Sequence, residues 1–177
     1  MQIPFGEWLP DQPKHLNPGA NVATNVYYAL NSYKRFPSLV NYSSNNIAAD
    51  ARGGGSFRDN AGAVFYVIAS NGVDAPQYYL MGTSTNFANL SAIQTAGTVP
   101  TFRVSGVIRD FLVTGNQTSN QNRIQWSGIN DITTWLSGTK QSDQQDLPGS
   151  GGEIVAITSG EYGYVFRQNQ IIRMDYV

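Results

Sequence analysis

A block of sequence that recurs at nearly constant spacing constrains this chain more than any motif in it. Leu80-Met81-Gly82 leads to Phe87 and Leu90, Trp126-Ser127-Gly128 leads to Trp135 and Leu136, and Met174 stands two residues before Tyr176. The intervals, about 46 and then about 48 residues, fall in the range where repeats build propeller blades or solenoid units. Each block carries a hairpin pattern, then small turn residues, then an aromatic plug. Residues 64–69 form a β-branched and aromatic run, Ser70-Asn71-Gly72 has turn chemistry, and residues 78–81 return. Residues 108–114, 115–122 and 124–126 repeat that order, as do 164–166, 167–170 and 171–174 with a shorter loop. Residues 102–107 and 154–157 supply a further strand ahead of the second and third hairpins, and the first unit has no room for one.

The fold expected from this pattern is all-β, with antiparallel β-hairpin repeats forming a partial β-propeller over residues 21–177. Its repeat units are about 56–100, 101–150 and 151–177. An ordinary antiparallel sandwich accommodates the same three hairpins. Helical spacing is confined to residues 21–30, where Val22, Val26 and Ala29 share a face, and Val26-Tyr27-Tyr28 is equally good strand. Gly53-Gly54-Gly55 reads as a flexible hinge, since it lacks the following Lys-Ser or Lys-Thr of a phosphate loop.

The first 20 residues are a separate, Pro-rich arm. Pro4, Pro10, Pro13 and Pro18 fix φ and remove donors, which biases the segment to an extended path. Phe5, Trp8, Leu9, Pro10 and His15 are its candidate interface residues, because an extended arm carrying large apolar side chains is costly to leave in water. Its expected seat is a groove of its own domain or of a neighbouring copy.

Composition narrows the function classes. Charged residues make up 13% of the 177 and apolar ones 41%, against a usual charged share of about 25%. Such a surface suits a protein whose faces are covered by neighbours better than a freely diffusing enzyme. A net charge of −1 and a pI near 5.7 argue against a basic footprint for nucleic acid. Without cysteine there is no disulfide framework or thiolate metal site. The start Met1-Gln2-Ile3-Pro4 lacks the regions of a signal peptide, and no apolar run approaches a membrane span, so membrane anchoring is not expected.

Several strings resemble tail proteins of short-tailed bacteriophages, the tail hub, nozzle or packaged-DNA stabilisation proteins. They are Ile3-Pro4-Phe5-Gly6-Glu7-Trp8-Leu9-Pro10-Asp11, Tyr33-Lys34-Arg35-Phe36-Pro37-Ser38-Leu39 and Arg123-Ile124-Gln125-Trp126-Ser127-Gly128-Ile129-Asn130-Asp131 with Trp135. Gly151-Gly152-Glu153-Ile154-Val155-Ala156-Ile157, followed by Tyr164-Val165-Phe166 and Ile172-Arg173-Met174, is similar as well. The resemblance implies a β-propeller-based virion subunit, assembled in the host cytoplasm with other copies of itself into a ring. That ring would meet portal, adaptor and other tail proteins and let DNA pass without sequence-specific binding. In the proteins it resembles, a longer stretch separates Ser56-Phe57-Arg58-Asp59 from Val67-Ile68-Ala69-Ser70, and the chain runs past the position of Met174. Both departures imply part of a propeller, either a fragment or a shortened relative. Phe87, Trp126, Trp135 and Met174 are the expected blade-packing residues.

Catalytic chemistry has few ways to be built. His15 is the single histidine and sits in the arm, so serine-triad and zinc chemistry lack parts, and no catalytic residue, metal ligand or cofactor is assigned. Asp110, Asp131, Asp143, Asp146, Glu153 and Glu161 could supply a carboxylate pair, which keeps a carbohydrate-binding or glycoside-hydrolysing β-propeller as the alternative. Ser127, Asn130 and Asp131 read as turn-bonding residues, and Asp143-Gln144-Gln145-Asp146 as a solvated loop. Arg52, Arg58, Arg103, Arg109 and Arg123 read as partners of local carboxylates such as Asp59, Asp110 and Asp131, leaving any channel surface neutral or acidic.

Overall fold

Strands form where β-branched and aromatic residues gather, and turns where Gly, Asn and Asp interrupt them. The computed structural model describes residues 9, 11–17, 19–20, 22, 24–29, 32–37, 41, 43–44, 47–59 and 65–175, with backbone alone at 28, 29 and 32. Among the described residues the chain is all-β, with 45% strand, no α-helix and no closed barrel or propeller. It divides into two compact units, Met1–Asn41 and Tyr42–Val177.

In the first unit, β1 (Val26–Ala29) pairs antiparallel with β2 (Ser32–Arg35). The helical spacing at residues 21–30 therefore loses to the strand preference of Val26 and Tyr27. The Tyr27 ring lies 5.5 Å from that of Phe36. In the described part of the arm, Gln12 N–H donates to Leu9 O at 3.2 Å and Leu16 N–H to Pro13 O at 2.9 Å. The arm thus bends through two turns and is not extended throughout.

The second unit holds three antiparallel sheets in chain order. Sheet 1 contains β3 (Gly53–Arg58), β4 (Phe65–Ser70), β5 (Gln77–Leu80) and β6 (Ala88–Asn89), each paired with the next. A 3-10 turn, Leu90–Ile93, and the short strand β7 (Ala96–Gly97) lead to sheet 2. Sheet 2 contains β8 (Phe102–Ile108), β9 (Phe111–Gln117) and β10 (Arg123–Trp126). The chain then leaves the sheet for β11 (Thr134–Trp135), which pairs in parallel with β7, and returns as β12 (Asp143–Asp146) beside β10. Sheet 3 has three strands, β13 (Ile154–Ile157), β14 (Gly163–Arg167) and β15 (Gln170–Met174).

Three local expectations are corrected. Gly53-Gly54-Gly55 is no hinge but the start of β3, with Gly53 opposite Ser70 and Gly55 opposite Ile68, so the first hairpin repeat does have a leading strand. Its glycines have a packing reason, since a Cβ on Gly53 would sit 2.3 Å from the Arg103 carbonyl oxygen. Residues 143–146 are a strand, whose exposed charged side chains suit a sheet edge. The run 108–114 is broken by a tight turn at Arg109, φ 50°, with Ile108 opposite Phe111.

Sheet 2 is the middle layer, and all seven residues of β9 are buried. Toward sheet 1, where β3 lies against β8, Leu112 and Phe102 join Phe57, Ile68, Leu90, Ile132 and Trp135 in one core. Toward sheet 3, where β13 lies against β8 and β9, Ile124 meets Leu147, Ile154 and Val165, and Ile108, Phe111 and Val113 cluster beside them. Gly115 sets how closely these two sheets approach: a Cβ there would lie 3.0 Å from Ile157 Cδ1 and 3.1 Å from Ile154 Cγ2. The absence of a side chain lets the isoleucines of β13 press directly on the β9 backbone.

Candidate functional site

The stacking leaves three surfaces on the second unit with the character of a site: an apolar groove, an open sheet face and a polar cleft. The groove, about 880 Å³, runs between β9–β10–β12 of sheet 2 and β14–β15 of sheet 3. Its apolar lining comes from Phe111, Ile124 and Trp126 on one side and Val165, Ile172 and Met174 on the other. Trp126 and Met174, two of the expected packing residues, thus meet at one place. Trp126 stays half-buried, its indole Nε1–H donating to Gln141 O at 2.8 Å, and Met174 is half-buried opposite it.

The other two packing residues lie elsewhere. Trp135 is 2% exposed inside the first core, donating from Nε1 to Ile132 O at 2.8 Å. It is carried there by the β7–β11 pairing, which Gln94 ties down with its amide on Gly97 O and its Oε1 accepting from Val99 N–H at 3.0 Å. Phe87 packs its ring 5.3 Å from Tyr79 on the far side of sheet 1. Among the arm residues, Phe5, Trp8 and Pro10 lie outside the described residues, Leu9 accepts from Asn17 Nδ2 at 3.2 Å, and His15 is exposed in a turn.

Sheet 3 turns one face to sheet 2 and the other to solvent. Gly163, Val165 and Arg167 alternate inward along β14, so Tyr164 and Phe166 point outward, and the register sets Ile171 and Arg173 beside them. Ile171 is 63% and Tyr164 41% exposed, an apolar pair on the open face of the sheet. Arg173 borders it, held by Asp175 at 2.8 Å and lying 5.4 Å over the Tyr162 ring.

The polar cleft, about 710 Å³, lies where β8, β9 and β13 meet residues 48–52 ahead of β3. Asn116, buried and at φ 54°, donates from Nδ2 to Glu153 Oε2 at 3.1 Å and to Ile154 O at 2.7 Å. Glu153 Oε1 accepts from Gln168 Nε2 at 3.1 Å, so the 3.9 Å approach of Arg103 is a loose one. Two arginines and two carboxylates line this cleft without an aromatic side chain. Family models, curated proteins and solved structures were compared with the chain, and none matches it.

Of the carboxylates that could supply a pair, Asp131, Asp146, Glu153 and Glu161 are held by local partners. Asp131 Oδ1 accepts from the Thr133 N–H at 2.8 Å and hydroxyl at 2.6 Å, while Oδ2 accepts from Thr134 Oγ1 at 2.9 Å and Lys140 Nζ at 2.6 Å. Burial pushes its pKa up, yet these four donors outweigh burial and hold it at about 2. Ser127 ties the start of its loop to β9, its Oγ accepting from Leu112 N–H at 3.1 Å and donating to Gly128 O at 3.1 Å. The arginine partners differ from those expected: Arg123 pairs with Asp146 at 2.6 Å, Arg109 with Glu161 at 3.5 Å and Arg103 with Glu153. Strand pairing explains the first, since Arg123 sits opposite Asp146 in the β10–β12 register. Among the described residues no three His, Cys, Asp or Glu side chains gather as metal ligands, and no helix is long and apolar enough to cross a membrane.

Sequence reasoning missed Arg167. It is 4% exposed and donates to Pro148 O at 2.7 Å, Gly152 O at 2.9 Å, Gly149 O at 3.3 Å and Gln170 Oε1 at 2.9 Å. One guanidinium therefore ties the segment joining sheets 2 and 3 to β14 and β15. Nothing in the local string distinguishes Arg167 from a surface arginine at a hairpin turn.

Proposed function

We propose that this chain is a structural subunit of a short-tailed bacteriophage virion, a tail hub or nozzle component that assembles as a ring below the portal and conducts DNA. The reading rests on one observation: three consecutive up-and-down sheets stack with their leading strands β3, β8 and β13 together, and the outer face of the last stays apolar and open. In this reading the sheets are successive blades of an unclosed propeller, rigid through neighbour-to-neighbour packing. An open apolar face on such a stack favours burial against another polypeptide, as assembly requires.

Local ion pairs engage Arg103, Arg109, Arg123 and Arg173, so these four offer DNA no stripe of unsatisfied cations. A conduit of this kind lets DNA slide. The carbohydrate alternative is less well supported, because the polar cleft has no aromatic platform for a sugar ring. Native mass spectrometry of the chain, alone and with co-assembling tail proteins, tests the reading. A ring or a partner-dependent complex is expected, with no DNA retention at about 0.15 M salt. A stable monomer that binds an oligosaccharide array contradicts it.

A further inference from the structure

Among the described residues, sheets 1 and 2 each have four strands and sheet 3 has three. The apolar groove lies beside β15, where a fourth strand of sheet 3 would run, as β6 runs beside β5 and β12 beside β10. The β15 edge is also a usable hydrogen-bonding edge. Tyr164 directs both backbone groups toward Thr158, its N–H to Oγ1 at 2.9 Å and its carbonyl to the Thr158 N–H at 3.0 Å. In antiparallel alternation its opposite residue, Arg173, then directs its own groups away from β14, and so does Ile171 two residues earlier. Among the described residues nothing pairs with that side of β15. The residues between, Ile172 and Met174, turn their side chains into the groove, so an added strand would drop every second side chain into the same space.

We propose that the β15 edge and its groove accept one extended strand from a different polypeptide, uncharged and alternating apolar with small polar residues. The apolar requirement follows from continuity: Ile124, Leu147 and Val165, which form the core between sheets 2 and 3, also line the groove. The uncharged requirement follows from the lining amides of Gln141, Gln145 and Gln170 and from Arg173 already being matched by Asp175. A single strand fits better than a second copy pairing β15 with β15. In that two-fold arrangement both copies of sheet 2 would lie on the same side of the joined sheet, where β12 already overhangs the groove. This inference rests on the open third sheet alone and survives if the tail-subunit reading fails.

The test uses the whole chain and an end-capped seven-residue peptide alternating threonine and valine, with a copy N-methylated at every second residue as control. Hydrogen exchange should show the Ile171 and Arg173 amides protected by about tenfold or more at about 1 mM peptide, and Trp126 fluorescence should shift. The methylated peptide should do neither. Arg173→Pro removes an outward N–H without touching the β14 ladder and should weaken binding by about tenfold, whereas Arg173→Ala should leave it within about twofold. Met174→Glu places a charge in the groove and should also weaken it. Absence of protection at those two amides, or equal binding by Arg173→Pro and Arg173→Ala, overturns the proposal. So does protection already present without peptide: if independent of concentration, the occupant is a segment of this same chain, and if it rises with concentration and persists when Tyr164→Glu and Ile171→Glu charge the open face, the occupant is a second copy.

Discussion

Replacing Arg167 by methionine should destabilise the second unit by about 3–4 kcal/mol, at about 1 kcal/mol for each of four lost hydrogen bonds. The figure is worked from the geometry. The guanidinium donates to three carbonyls of residues 148–152 and to Gln170 Oε1, all within 3.3 Å. Methionine retains the buried stem, so the cavity contribution is small, and water can reach the outer carbonyls at Pro148 and Gly149. Lysine retains the charge but not the fork and should cost about 1–2 kcal/mol. Gly151 supplies an internal control, since a Cβ on it would lie 2.7 Å from Arg167 Cζ and Nη1. Gly151→Ala should therefore cost about 1–3 kcal/mol beside arginine and at least about 1 kcal/mol less beside methionine. Urea unfolding followed by intrinsic fluorescence measures all four corners of the cycle. An Arg167→Met loss below about 1 kcal/mol, or an additive cycle, would refute the idea that this guanidinium clamps sheet 3 to the segment before it.

Other perturbations follow from the same contacts. Gly115→Val should destabilise by about 1–3 kcal/mol in chemical unfolding, with Gly115→Ala milder, because the new atoms meet Ile154 and Ile157. Trp135→Ala should cost about 3–5 kcal/mol, and the half-buried Trp126→Phe much less. Asp131 has a folded pKa of about 2, below its ordinary 3.8, so it stabilises the fold above about pH 4 and loses that contribution as pH falls toward 2. The loss is about 1 kcal/mol by linkage once solvent screening around the exposed Lys140 is discounted, and it should vanish in Asp131→Asn, compared by thermal unfolding from pH 6 to pH 2.

Hairpins built from β-branched and aromatic residues were legible in the sequence. Residues 154–157 and 171–174 coincide with β13 and most of β15, because alternation and strand preference agree there. Where tertiary pairing decides, the local string misleads. Gly53-Gly54-Gly55 has no strand preference of its own and becomes a strand because β4 offers its ladder and Arg103 approaches too closely for a side chain. Residues 143–146 look like a solvated loop and pair because Arg123 opposes Asp146. The groove was only half legible: Trp126 and Met174 announce burial, but their partial exposure depends on how many strands sheet 3 has. Arg167 carried no signal, since its acceptors are backbone carbonyls supplied by any sequence at those positions.

Sedimentation velocity across about 1–100 µM protein is the most direct test of the central claim that this sheet stack is built to be covered by other chains. Wild type should sediment as a concentration-dependent assembly, and Tyr164→Glu with Ile171→Glu, which charges the open face of sheet 3, should return it to a folded monomer. A wild-type chain that remains monomeric over the whole range, with the double variant indistinguishable from it, would contradict the account.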